Sequence, residues 1–213
     1  MDKNLFNLDK KRIERTAAAL EKAGFTTYCT DTAKDALSLI ESLVPQNAVC
    51  AGGGSMSLSQ AGVTELLQSG KYQYLDRARE GITAEEIGKV YRDTFSADYY
   101  FSSANAVTEN GEIVNMDGNA NRVAAITFGP ANVILLVGAN KIVKNQDDAI
   151  RRIKEVAAPA NAMRLGCKTP CAVTGKCEDC HSPSCICCTM TVQRNSRPQG
   201  RIKVILVAES LGY

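Results

Sequence analysis

The sequence predicts an α/β fold: a mixed or parallel sheet with helices on both faces. Strand-type and helix-period segments alternate through the first two-thirds of the chain, as they do when covering helices connect the strands of one sheet. Residues 133–137, Val-Ile-Leu-Leu-Val, are apolar without a break, which suits a central strand buried on both faces. Residues 202–207 supply a last strand.

Each element has a local reason. Residues 8–23 are helical, with Ile13, Ala17 and Leu20 on one face and Gly24 as a stop signal. Residues 25–29 read as a strand. Asp31 and Thr32 can cap a helix over 33–43, which ends before Pro45. A buried-type strand at 48–51 runs into Gly52-Gly53-Gly54-Ser55, followed by a helix at 63–68 and a strand near 72–75. Thr83 with Glu86 forms a capping box for a helix through Phe95. Residues 99–101 and 104–108 are strands, and Asn110-Gly111 signals a hairpin that returns over 112–115. A short helix covers 123–128, and a helix over 147–157 is expected to close at Pro159. The whole chain, 1–213, reads as one α/β domain, with a Cys-rich loop at about 166–190 inserted before the last strand. A loop of that length without periodicity calls for a function or a staple.

Composition narrows the function classes. The chain has 213 residues, 45% hydrophobic and 23% charged, enough for a substantial core without disulfides. A net charge of +2 gives no general pull toward nucleic acid or an anionic membrane. The apolar runs are strand-sized and too short to cross a bilayer. The N-terminus is a charged amphipathic pattern and not a signal peptide, so the expected compartment is the cytoplasm, where thiols stay reduced. A secreted, disulfide-knotted tail is the alternative.

Seven of the nine cysteines lie between Cys167 and Cys188. Thiols at this density need a shared partner, either a metal or one another. Thiolates suit zinc or an iron–sulfur cluster, and four close either site. Cys177 and Cys180 form a C-x-x-C knuckle, and Cys171 and Cys187 can complete the set, with Cys167, Cys185 and Cys188 as substitutes. The spacing and the excess of thiols tilt the reading toward iron–sulfur, with zinc as the alternative. The lone histidine, His181, reads as a solvent-facing loop residue beside the knuckle.

Two further segments carry candidate ligand contacts. Gly52, Gly53, Gly54, Ser55 and Ser57 lie between a strand and a helix, where backbone N–H groups can hold an anion. The competing reading is a tight turn that merely avoids steric clash. Residues 103–122 are rich in Asn, Asp, Glu and Thr, and polar groups at strand ends are where ligands bind. Asn105, Thr108 and Asn121 are candidates there, with Arg122 and Lys141 as anion partners. Glu109 could act as a nucleophile toward a thioester or as a general base, although a solvated hairpin edge accounts for it as well.

The stretches AGGGSMSLSQAGV, SANAVTENGEIVNMDGNANRVAAITFGPANVILLVGANKIV, TPCAVTGKCEDCHSP and RIKVILVAESLGY resemble the LUD-domain proteins, the DUF162-type family associated with lactate utilisation. The resemblance covers most of the chain from Ala48 onward and is to small stand-alone members with a Cys-rich C-terminal loop. It implies a NagB/RpiA/CoA-transferase-like α/β fold and a role in oxidising lactate to pyruvate or a related redox step. It also implies iron–sulfur and flavin-type partners, and its thiol pattern matches at Cys171, Cys177, Cys180 and Cys187. The C-x-x-C-x-x-C runs of the larger lactate-system protein are absent, and Cys167, Cys185 and Cys188 are additions.

Three functions compete on this reading. The first is a redox or electron-transfer component with a thiolate-bound iron–sulfur (or zinc) site next to a small organic acid pocket. If catalytic, it is an oxidoreductase subunit acting on lactate or a related 2-hydroxy acid. The second is an acyl/CoA-transfer or sugar-phosphate-type enzyme using Glu109, with zinc as a staple. The third is a non-enzymatic ligand sensor. The expected partners are a small organic acid or phosphate-bearing ligand and a redox protein, with no nucleic acid and no membrane. A homo-oligomer is compatible with all three.

Overall fold

The computed structural model describes residues 2–213. In chain order the first half runs α1 (Lys3–Lys22), β1 (Thr26–Thr30), α2 (Ala33–Leu43), β2 (Val49–Gly52), α3 (Met56–Gln60), α4 (Val63–Gln68), β3 (Gln73–Tyr74), α5 (Ala84–Asp93), β4 (Tyr99–Ser102), β5 (Ala106–Thr108) and β6 (Ile113–Asp117). The second half runs α6 (Asn121–Phe128), β7 (Asn132–Gly138), β8 (Ile142–Val143), α7 (Gln146–Arg152), α8 (Ala158–Arg164), α9 (Pro170–Thr174), β9 (Thr189–Gln193) and β10 (Ile202–Val207). The α/β expectation holds.

Six strands form the main sheet in the order β1-β10-β7-β4-β2-β3, and every pairing in it is parallel. The strand period of two divides β7 between two cores. Val133, Leu135 and Val137 join Ile13, Ala17 and Leu20 of α1 and Ala125 and Ile126 of α6 on one face. Ile134 and Leu136 join Ala36 and Ile40 of α2, Leu58 of α3 and Val63 and Leu67 of α4 on the other. The unbroken apolar run in β7 is thus the signature of a strand covered twice. Each such side chain contributes roughly 1.5–3 kcal/mol over leaving it in water. In register, Leu135 lies between Val204 of β10 and Ser102 of β4 and is fully buried.

A second sheet, β8-β5-β6-β9, packs alongside. Strands β5 and β6 are the expected hairpin, turned at Gly111, whose φ of 86° a side chain would strain. The inner residues Val107, Ile113 and Ile142 reach the main core. On the other face Ala106 and Val114 meet Ala149 and Ile153.

Local signals hold where they are self-contained. Thr32 and Thr83 both cap their helices with reciprocal boxes, through Asp35 and Glu86. Pro159 does not close its helix, contrary to expectation. The chain passes from α7 through a π-helical turn, Ile153–Ala157, into α8, with Pro159 in its first turn. A widened turn leaves room for the proline ring and needs no N–H from it. Between the cysteine segment and β10 the chain also forms β9, which pairs antiparallel with β6. Among the described residues, no helix is long and apolar enough to cross a membrane.

Candidate functional site

The carboxyl ends of the parallel strands converge on one cavity. Gly53, Gly54 and Ser55 follow β2, Ser103, Ala104 and Asn105 follow β4, and Lys141 follows β7, all in the wall of a cavity of about 330 Å³. This is where open α/β sheets place ligands, because the chain leaves the strands there as loops.

The glycines have a steric role. A Cβ on Gly54 would lie 2.7 Å from an Arg77 guanidinium nitrogen, and one on Gly53 would lie 3.3 Å from Cδ of Arg122. Two arginines therefore approach the loop closely only because side chains are missing there. The Gly53 N–H is donated to the Phe101 carbonyl, and Ser55 Oγ accepts the Leu58 N–H. Gly52 ends β2, and a Cβ there would lie 3.4 Å from the Tyr74 hydroxyl.

Arg122 is held from all sides. It donates to Asn115 Oδ1 at 2.6 Å, to the Ser103 carbonyl at 3.3 Å, to Asn105 Oδ1 at 3.1 Å and to the Met116 carbonyl at 2.8 Å. Its Nε lies 3.6 Å from Asp117, which also accepts the N–H groups of Arg122 and Val123. The guanidinium thus ties the hairpin to α6 and adds positive charge to the wall. Arg77 is freer: among the described residues its one side-chain bond is a 2.9 Å donation to the Tyr91 hydroxyl. Its other donors are available to a ligand.

Lys141 is only 4% exposed yet lines the cavity. Its Nζ lies 2.8 Å from Ser57 Oγ and 3.1 Å from Ser103 Oγ, both hydroxyls rather than carboxylates. Burial first, then the Arg152 and Arg122 charges, push its pKa down to about 7. Arg152 is itself anchored to the Asn140 and Asn105 carbonyls. The lining residues include four cationic side chains, Arg77, Arg122, Lys141 and Arg164, and one acidic one, Asp117. That imbalance in a concave site favours an anion.

The expected cluster is partly assembled here. Gly53, Gly54, Ser55, Asn105, Asn121, Arg122 and Lys141 line the cavity, and Ser57 reaches it through Lys141. Thr108 is turned to Glu112. Glu109 pairs with Arg15 at 3.3 Å and is not in the wall. Arg77, Tyr91, Ser103, Asp117, Asn161 and Arg164 join without having been singled out. Asp117 and Ser103 belong to the polar stretch 103–122; Arg77 and Arg164 carry no motif that would mark them.

A second cavity, of about 490 Å³, adjoins the first. Cys171, Cys177, Cys180, Cys185, Cys187 and Cys188 line it, with His181. Cys167 is not in its wall; its N–H is donated to the Ala162 carbonyl. Helix α9 presents Cys171 and ends at Gly175, whose φ is 76°. Cys187 donates its N–H to Cys185 Sγ at 3.4 Å, and the Cys188 N–H is donated to the Asp117 carbonyl at 3.0 Å. All nine cysteines are free thiols. Burial, then Cys185, Cys177 and Cys171, push the Cys187 thiol up to about 12. A thiophilic cation beside Cys187 would reverse that effect by favouring the thiolate. Six cysteines border one space without closing on a point. No three His, Cys, Asp or Glu side chains among the described residues are arranged to hold one ion. By donor chemistry the segment fits a thiolate-bound group.

The LUD domain family model matches residues 13–207. This chain belongs to the LUD-domain family. A solved structure described as a DUF162 family protein from Deinococcus radiodurans is similar, at 14% identity. That match covers 93% of this chain and 98% of the other, with a TM-score of 0.48. No curated protein matches. In this LUD-domain chain the two cavities share Met116, Ala158, Ile186 and Cys187 as walls.

Proposed function

We propose that this LUD-domain protein is a lactate-utilisation-type redox component, with a thiolate-bound iron–sulfur cluster beside a pocket for a small organic acid. The single observation that carries this is Cys187, which lines both cavities. Cys171, Cys177, Cys180 and Cys187 would hold the cluster, and Cys185 and Cys188 stand close enough to substitute. A bound cluster would supply one-electron transfer at that wall. Zinc in the same thiolates would instead staple the segment.

The chain's own groups account for the rest. Arg77 presents free donors in a planar fork that matches a carboxylate or a phosphate. Arg122, fixed by its five partners, sets the positive field without moving. Lys141 and Ser103 line the wall, and Ser57 holds Lys141 in place. Glu109 is engaged with Arg15 outside the pocket, so we prefer this reading to acyl transfer.

Anaerobic purification tests the proposal. The expected product is brown, absorbs broadly in the visible range, and contains iron and sulfide in similar amounts. Calorimetry should show lactate or pyruvate binding. Colourless anaerobic protein with stoichiometric zinc would sink the redox reading and leave the staple.

A further inference from the structure

We propose that Lys141 is a nucleophile that condenses with the ketone of a 2-oxo acid bound in the cationic pocket, forming an imine. This deepens the small-acid reading and rests on it.

The geometry of the two serines carries the inference. Ser57 Oγ–H is directed to the Leu211 carbonyl at 3.1 Å and Ser103 Oγ–H to the Ala104 carbonyl at 3.4 Å. Both hydroxyl oxygens therefore accept from Lys141, at 2.8 and 3.1 Å. The amine uses two protons on them. One tetrahedral position remains, and in the neutral amine it is the lone pair. No carboxylate contacts Nζ among the described residues, so no ion pair holds the ammonium form. Burial and the neighbouring Arg152 and Arg122 disfavour that form further. A buried lysine among cations, with hydroxyls to orient it, is how an amine becomes reactive near neutral pH. The same arginines attract the acid that carries the ketone.

The step balances without an external reagent. The Nζ lone pair forms a C–N bond to the ketone carbon, and the carbonyl oxygen takes up protons and leaves as water. Nζ loses its two protons overall, and the product is a C=N bond. No electron is gained or lost.

Reductive trapping tests this on the unmodified chain. Pyruvate is added with borohydride, which delivers hydride to the imine carbon, and the digested protein is read by mass spectrometry. One reduced pyruvate unit is expected on Lys141, on the order of 100-fold above exposed lysines such as Lys168, given the larger neutral fraction of a desolvated amine. Calorimetry without borohydride runs in parallel. Pyruvate that binds but labels Lys141 no more than Lys168 overturns the nucleophile and leaves the acid pocket standing. No pyruvate binding at all overturns the acid pocket, and the imine with it. Lys141→Arg, which offers no amine lone pair, should lose the adduct, and an undiminished adduct in that variant also overturns the proposal.

Discussion

The cationic pocket and the thiol cavity share a wall but are built in opposite ways. The pocket is held by bonds between residues far apart in the chain: Lys141 to Ser57 across 84 positions, Arg152 to Asn105 across 47. The cysteine segment relies mostly on contacts a few residues apart, such as Ser184 N–H to Ser182 Oγ and Cys187 N–H to Cys185 Sγ. Its longer ties are few, among them the Cys188 N–H to the Asp117 carbonyl and an ion pair between Lys154 and Asp179. The first site is preorganised by the folded sheet. The second has the composition of a site whose geometry a bound group would complete, as metal ligands commonly require.

The contrast can be broken at its foundation. Leu135→Ala empties space in the buried centre of β7 and should cost about 2–5 kcal/mol of unfolding free energy, read by denaturant titration. Ligand binding in the pocket should be lost before any thiol property changes. Arg122→Ala removes a donor from Asn115 Oδ1, Asn105 Oδ1 and the carbonyls of Ser103 and Met116 and should cost roughly 1–3 kcal/mol. Lactate affinity, read by calorimetry, should fall with it.

Opposite pH responses sharpen the comparison. Lys141 has its pKa lowered from 10.5 to about 7, so between those values the unfolded chain holds more protons than the folded one. Stability should therefore rise with pH from about 7 toward 10.5, and Lys141→Met should flatten that slope. The Cys187 thiol is raised from 9.0 to about 12, so in the metal-free chain the folded state holds the extra proton and stability falls through that interval. Chemical melts at pH 7, 8.5 and 10 on Lys141→Met and on Cys187→Ser separate the two contributions.

Smaller effects mark the boundary between the regions. Cys187→Ser should lose most of the iron that the proposed cluster would bring, while moving the unfolding free energy of the metal-free chain by less than about 1 kcal/mol, because Cys187 lies outside the two main cores. Glu109→Gln removes a largely solvated pair with Arg15 and should stay within about 0.5 kcal/mol, with no change in acid binding.

Much of the fold was legible because its signals are local. The Thr32 and Thr83 boxes, the Asn110-Gly111 hairpin and the bounds of α2, α4 and β10 depend on neighbours within a few residues. Pro159 misled because whether a proline ends a helix depends on the turn before it, and that turn is π-helical. Strand β9 was missed although Thr-Met-Thr-Val-Gln alternates polar and apolar residues, because the run is short and continues the cysteine segment; its partner β6 defines it. In the site, the polar stretch 103–122 pointed to Asn105 and Arg122, and the glycines to the loop beside them. Arg77 left no trace, since its place over Gly54 depends on how the segment after β3 folds back.

Residue patterns alone specified a sheet, mixed or parallel, covered on both faces, the positions of most helices and the gathering of thiols near one end. Strand burial and capping are properties of short windows, and cysteine density is a property of composition. Folding in three dimensions set that the thiols share a wall with a cationic pocket and that Lys141 sits between two serines, with no carboxylate against it among the described residues. Those facts depend on which strand ends lie side by side. That order, β10 beside β7 and β7 beside β4, is set by long-range pairing between segments that carry no mark of their partners.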